Sequence, residues 1–143
     1  MIIKQISVFV ENQPGRLAEV TNALDRNRIN IRALSIADTK DFGILRLIVN
    51  DPEKAKAVLK ESDYTVSITK VIAVALEDRP GSLAKAMNVL TQNGINVEYM
   101  YAFIGRRENA AYVVLRVEDN EKAVEVLTKE GIRVLKSEEV YDF

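Results

Sequence analysis

The chain repeats itself, and the repeat limits the possible folds more than any other feature. Gln13-Pro14-Gly15-Arg16-Leu17-Ala18-Glu19 returns as Arg79-Pro80-Gly81-Ser82-Leu83-Ala84-Lys85 at an offset of 66 residues, and Asn27-Arg28-Ile29-Asn30-Ile31 returns as Asn93-Gly94-Ile95-Asn96-Val97 at the same offset. Further along, Asp51-Pro52-Glu53-Lys54-Ala55 matches Asp119-Asn120-Glu121-Lys122-Ala123 at an offset of 68. Two residues are therefore added between Val97 and Tyr112, and the turn at Gly105–Asn109 is where they are expected. A unit of about 67 residues fills the 143 residues twice, so each copy must be one small, self-similar fold.

Within each copy the hydrophobic period alternates between that of a strand and that of a helix. Ile3 to Val10 and Val71 to Leu76 are rich in β-branched residues and bounded by turn signals, as in a buried strand. After the Pro-Gly turn, Leu17, Val20, Thr21 and Leu24, matched by Leu83, Ala86, Met87 and Leu90, fall at helical spacing. Ile29 to Ala37 and Ile95 to Phe103 predict a second strand, and Gly43 to Val49 and Ala111 to Val117 a third. Asp51 and Asp119 suit helix N-caps and Pro52 a first helical position, before the apolar stripes Ala55-Val58-Leu59 and Ala123-Val126-Leu127. Tyr64 to Ser67 and Arg133 to Lys136 predict a last short strand. The expected class is α+β: two ferredoxin-like βαββαβ units in tandem, residues 1–68 and 69–143, each an antiparallel sheet with both helices on one face.

Strand three predicts a further property. Leu45, Leu47 and Val49, matched by Val113, Leu115 and Val117, should face the helices. The alternate residues Ile44, Arg46 and Ile48, matched by Tyr112, Val114 and Arg116, make the opposite face too apolar to be simply solvated. Units of this size bury a modest fraction of their surface, and no Gly/Ser/Pro linker separates Val66 from Val71, so rigid packing of the copies, and a homodimer, are expected.

Composition excludes several kinds of chemistry. The chain has no Cys and no His, which removes disulfides, thiol nucleophiles, zinc sites built on thiolate or imidazole, and imidazole acid–base catalysis. Lys plus Arg number 20 against 21 Asp plus Glu, so no basic face points to nucleic acid. No apolar run approaches the length of a membrane span, and an apolar strand-like run already starts at Ile2 with no charged leader before it, so the expected location is cytoplasmic. Ser82-Leu83-Ala84-Lys85 has the letters of a serine–lysine acylation motif, but its counterpart is Arg16 to Glu19 and its companion motifs are missing. No catalytic residue, metal ligand or cofactor is expected.

The candidate binding residues are those the two copies share. Asn12-Gln13-Pro14-Gly15 and Asp78-Arg79-Pro80-Gly81 suit a type II turn leading into a helix whose first N–H groups lack intrahelical partners. Such an end attracts a carboxylate, while Asn12 and Asp78 could accept from an ammonium or serve as an Asx-type turn and cap. Asn30 and Asn96, polar between apolar neighbours, form the second pair; a helix cap or loop satisfaction is the structural alternative. Tyr99, Tyr101 and Phe103 alternate on one face of strand two, a row that reads as packing, or else as the wall of a hydrophobic pocket.

Asn12-Gln13-Pro14-Gly15-Arg16-Leu17 with Arg28-Ile29-Asn30-Ile31, and Asp78-Arg79-Pro80-Gly81-Ser82-Leu83 with Gly94-Ile95-Asn96-Val97, resemble the ACT domain, the regulatory βαββαβ module of amino-acid biosynthetic enzymes. Glu98-Tyr99-Met100-Tyr101-Ala102-Phe103 and Ala111 to Val117 are similar to segments of free-standing tandem ACT proteins. The resemblance implies side-by-side pairing of domains, with a small ligand, commonly an amino acid, between the first turn of one domain and the second strand of its neighbour. It implies Asn12, Gly15 and Leu17 opposite Asn96 and Val97, and Asp78, Gly81 and Leu83 opposite Asn30 and Ile31. Asp78 replaces Asn12 in the second copy, so the two sites are expected to differ. Val10 and Leu76 are apolar where some amino-acid-binding members carry a polar side chain.

The reading is a non-catalytic amino-acid sensor, with a metabolic enzyme as a possible partner and neither nucleic acid nor membrane. The alternative is a protein–protein interaction module that docks on a metabolic enzyme without binding a ligand. RNA binding would need stacking aromatics on strands one and three and a basic surface, whereas strand three of the first copy offers Ile44, Leu45, Arg46 and Leu47; an enzyme would need a nucleophile with an activating base, which the sequence lacks.

Overall fold

The computed structural model describes residues 1–38 and 41–142, with only the backbone of Asp38 placed; residue 143, the expected end of the second domain, lies outside the described residues. The order of elements is β1 (Ile3–Glu11), α1 (Arg16–Arg26), β2 (Ile31–Asp38), β3 (Phe42–Val49), α2 (Pro52–Glu61), β4 (Thr65–Glu77), α3 (Ser82–Gln92), β5 (Val97–Phe103), β6 (Ala110–Val117), α4 (Asn120–Lys129), β7 (Arg133–Val134) and α5 (Ser137–Tyr141). The chain divides into two compact units. The first is Lys4–Thr69, and the second is Lys70–Phe143 together with Met1–Ile3.

In the first unit β3 lies antiparallel between β1 and β2, with Val8 opposite Leu45 and Ile36 opposite Leu45 from the other side. The opening of β4 runs beside β1, where Ser7 Oγ stands 3.5 Å from Thr69 Oγ1. The core is apolar throughout: Ile6, Val8 and Val10 of β1 and Leu45, Leu47 and Val49 of β3 pack with Val20, Ala23 and Leu24 of α1 and Ala55 and Leu59 of α2. The strand residues, Val20, Leu24, Ala55 and Leu59 are those that periodicity assigns to the interior; on α1 Ala23 joins them, while Leu17 and Thr21 of the expected stripe are exposed.

The second unit repeats this plan: β6 lies between β4 and β5, and β7 pairs with β4 on its other side. Ile72, Val74, Leu76, Val113, Leu115 and Val117 pack with Ala86, Val89, Leu90, Ala123 and Leu127. Ile2 packs against this core, which explains why the first three residues belong to this unit. Both sheets carry a bulge at the same place, at Arg32 between Ile31 and Ala33 and at Glu98 between Val97 and Tyr99.

The caps follow the residues that predict them. Asp51 accepts from the Lys54 N–H at 3.1 Å and Asp119 from the Lys122 N–H at 3.0 Å, and Pro52 opens α2. Strand two begins two residues later than its apolar run in both copies. Ile29 and Ile95 return their N–H groups to Leu24 and Leu90 to close the helix, through a left-handed residue that is Arg28 in one copy and Gly94 in the other.

Three features differ from expectation. The last strand of the first copy and the first of the second are one continuous strand, β4, because no turn residue interrupts Thr65 to Glu77. The last strand of the second copy is only Arg133–Val134, although Leu135 still donates to Ala73 O at 2.8 Å. A short α5 follows, where the Glu139 carboxylate reaches back to the Lys136 N–H at 2.8 Å and pairs with Arg133.

The faces separate as strand three requires. Opposite the helices, Ala73, Val114 and Val140 in the second unit are fully buried, as are Gln5 and Ile48 in the first. In the second unit α5 stands on that side, where Glu138, Glu139 and Asp142 share a cleft with Tyr112. Phe103 packs on Tyr112 across β5 and β6 with ring centroids 5.4 Å apart, so the end of the aromatic row is packing.

Candidate functional site

Each unit has the same turn between its first strand and first helix, and the geometry follows from two residues. Pro14 and Pro80 preset the second position. Gly15 and Gly81 occupy the third at φ +87° and +93°, which an L side chain adopts only under strain. Gln13 O accepts from Arg16 N at 3.3 Å, and Arg79 O from Ser82 N at 3.4 Å, so both are type II turns. The turns are tied to the strand-three end of the sheet, with Asn12 N donating to Asp41 O at 3.0 Å and Asp78 N to Asn109 O at 2.8 Å.

Gly15 and Gly81 are also the N-caps, and neither helix has a side-chain cap. The capping role considered for Asn12 and Asp78 is therefore not taken up. Glu19 N and Lys85 N return to Gly15 O and Gly81 O at 2.9 Å each, so the N–H groups of Leu17 and Ala18, and of Leu83 and Ala84, are the ones without an intrahelical acceptor. A Cβ built on either glycine meets nothing within 4 Å, so an open approach leads to those donors. Beside them Leu17 is 44% and Leu83 38% exposed.

In the first unit the turn opens into a cleft of about 90 Å³ with Asn12 and Leu17 on its wall, joined by Ile36 of β2 and Phe42 of β3. Sequence reasoning did not assign Ile36 and Phe42 to the site. They are brought there by the antiparallel register that sets Phe42 against Glu11 and Ile36 against Leu45. The second unit has Ala102 and Ala110 at those two positions, so the two turns have different walls.

Asn30 and Asn96 do not cap helices either. That role falls to Asn27 and Asn93, whose side chains donate to Ala23 O and Val89 O at 2.8 Å each. Asn30 is held through its backbone, its N–H on Asn50 Oδ1 at 2.9 Å and its carbonyl on Asn50 N at 3.1 Å, and its side chain is exposed. Asn96 lines an open cleft of about 640 Å³ with Lys70, Asp119 and Lys122. Ile31 and Val97 are partly buried and pack against their own cores, so they contribute walls and little free surface.

Within one unit the two candidate clusters lie at opposite ends of the sheet. Ile31 pairs with Val49 while the turn sits by Phe42, and Val97 pairs with Val117 while the other turn sits by Ala110. Seven strand residues separate these ends, a distance of roughly 20 Å. Asn12 and Asn30 of one unit therefore cannot hold the same small molecule, nor can Asp78 and Asn96.

The chemistry available is recognition. The turns supply backbone donors, carboxamide or carboxylate oxygens and apolar walls. Among the described residues no group of three or more acidic residues is placed to hold a metal ion. The Arg16 guanidinium is raised above its ordinary pKa by its hydrogen bond to Glu19 and by the charge of Glu11, and the Tyr64 phenol is raised first by burial and then by Glu19. Among the described residues no helix is long and apolar enough to cross a membrane.

The family described as "ACT domain pair" matches residues 1–143. A crystal structure of protein BT0572 from Bacteroides thetaiotaomicron is 43% identical, with a TM-score of 0.94 over 100% of this chain and 98% of that one. The ligand-free regulatory subunit of aspartate kinase from Thermus thermophilus has the same fold, with a TM-score of 0.65 at 18% identity over 88% of this chain and 91% of that one. The Thermus flavus regulatory subunit gives 0.64 at 18% identity over 90% and 94%. No curated protein matches.

Proposed function

This chain belongs to the family of ACT domain pairs, and from that premise we propose that it is a non-catalytic regulatory protein that binds a small zwitterion, an amino acid, at its glycine turns. The carboxylate takes the free N–H groups at the start of α1 or α3, and the ammonium takes Asn12 or Asp78. The second wall is strand two of an adjoining ACT unit, for which Asn30 with Ile31 and Asn96 with Val97 are the candidates. This division of labour is supported by the separation, within each unit, of the turn from its own strand-two asparagine.

The observation that carries the reading is the pair of turns themselves: Gly15 and Gly81 with open space beside them, unpartnered amide donors behind them, and an exposed leucine at each. A thermal-shift screen of the twenty amino acids tests it. A ligand at one hundred times its Kd adds about 2.7 kcal/mol, a rise of roughly 10 °C for a chain of this size. Gly15→Val with Gly81→Val should abolish the rise, and flat responses to all twenty would overturn the reading.

A second reading is docking on a metabolic enzyme or on a second copy of this chain. It is favoured by Leu34 and Ile36, exposed on β2, the edge strand of the first unit's sheet. Light scattering of the purified chain, with Leu34→Lys as the disrupting variant, decides whether that edge is occupied by a second copy.

A further inference from the structure

The second unit contains a cleft of about 270 Å³ on the far side of its glycine turn, walled by Glu77, Arg79, Ser82, Lys85, Ile132 and Arg133. Three cationic side chains converge there from three separate stretches: the turn, α3 and β7. One carboxylate accompanies them, since Glu77 Oε2 lies 2.6 Å from Arg79 Nε. Arg133 is paired with Glu139, which stands outside the cleft. Lys85 has no ion-pair partner among the described residues.

The repeat supplies an internal control for this place. At the matching positions of the first unit stand Glu11, Gln13, Arg16, Glu19, Tyr64 and Thr65. There the charges satisfy one another: Arg16 pairs with Glu19 at 3.2 Å and with Glu11 at 3.7 Å, and Tyr64 stands where the second unit has Ile132. Stability of the fold does not require a cationic cleft, since its twin does without one. The helix end adds nothing to the argument, because Ser82 N and Lys85 N already donate to Arg79 O and Gly81 O.

We propose that this cleft binds a phosphate group, as the free ion or as a small monoester. Counting Glu77 on Arg79 and Glu139 on Arg133, three cations face two carboxylates and leave one net positive charge, that of Lys85; a phosphate group, with nearly two negative charges near neutral pH, would compete with those two surface carboxylates for the guanidiniums. Guanidinium forks, an ammonium and the Ser82 hydroxyl supply the charge-assisted and neutral donors that phosphate oxygens accept.

The test titrates the full chain with inorganic phosphate and, separately, with glycerol 3-phosphate, by calorimetry at ionic strength fixed with chloride. Saturable binding is expected. Lys85→Glu, which copies the charge of Glu19, should weaken it at least about tenfold, and Lys85→Gln by less. Glu19→Gln in the first unit should leave it unchanged. Lys85 is exposed, so both variants should keep the wild-type circular dichroism spectrum and unfolding midpoint. Tighter binding of the ester assigns the cleft to an esterified phosphate and equal binding to the free ion, and either supports the proposal. No saturable binding of either probe, or full affinity in Lys85→Glu, overturns it.

Discussion

The two units have equivalent cores, each its own, and differ at the first turn of their first helix. Leu24 and Leu90 occupy equivalent helical positions and are both fully buried, whereas Glu19 and Lys85, also equivalent, carry opposite charge on exposed faces. Buried positions are held by volume and contact, so divergence there is costly. Exposed charges contribute little to stability and are free to diverge. A difference between the copies is therefore informative about binding where it is exposed and lines a cleft, and informative about packing where it is buried.

The largest effects should come from the cores, where the copies ought to behave alike. Leu24→Ala and Leu90→Ala each remove a fully buried side chain and should cost about 3 kcal/mol, read as the fall in urea midpoint multiplied by an unchanged slope. Unequal losses would break the claim that the two interiors are equivalent. Next is Gly105, in the longer connection of the second unit. A Cβ there falls on the Tyr112 ring, well inside van der Waals contact, so Gly105→Ala should cost about 1–3 kcal/mol. The residue equivalent to Tyr112 is Ile44, so this constraint belongs to one unit alone and accompanies the Phe103–Tyr112 stack.

Much of this was legible in the sequence because local chemistry governed it. Pro-Gly turns of type II, the Asp51 and Asp119 caps and the inward faces of strand three each depend on a few neighbouring residues. What the sequence hid depended on residues far apart in the chain or on the absence of a signal. Nothing between Val66 and Val71 announces whether one strand or two is present, and five residues of α5 are too few for a helical period. The glycine turns were readable as candidates, but Phe42 and Ile36 join the first only through strand register. Lys85 and Arg133 meet in the second unit's cleft although 48 residues separate them in sequence.

The caps sharpen the comparison at a smaller scale. Asp51→Ala and Asp119→Ala each remove an acceptor of matched geometry, 3.1 and 3.0 Å from the N–H it satisfies, and should each cost about 1 kcal/mol. Pro52 follows the first cap and Asn120 the second, and proline at the first helical position is preorganised. The first helix should therefore retain slightly more of its stability when its cap is lost, and a pair of urea titrations measures the difference.

The smallest effect expected at neutral pH belongs to Tyr64, the residue that most separates the two clefts. Its hydroxyl is buried and makes no hydrogen bond to the described residues, so Tyr64→Phe deletes a group that gains nothing from being buried. The change should be neutral or stabilising by less than about 1 kcal/mol at pH 7. Burial, and then the Glu19 carboxylate, raise the phenol above its ordinary pKa of 10. Folding therefore favours the protonated form. That contribution is fully present below pH 10 and is lost as pH rises from there through the folded-state value, because the unfolded chain ionises first. Between about pH 9 and pH 11 the wild type should accordingly lose more of its urea midpoint than Tyr64→Phe does. Ile132, at the same position in the second unit, has no proton to lose, so Ile132→Val should leave the steepness of that decline as it is in the wild type. Parallel declines for wild type and Tyr64→Phe would show that the phenol is solvated in the folded chain, and the contrast drawn between the filled corner of the first unit and the open cleft of the second would then fail at its best-defined residue.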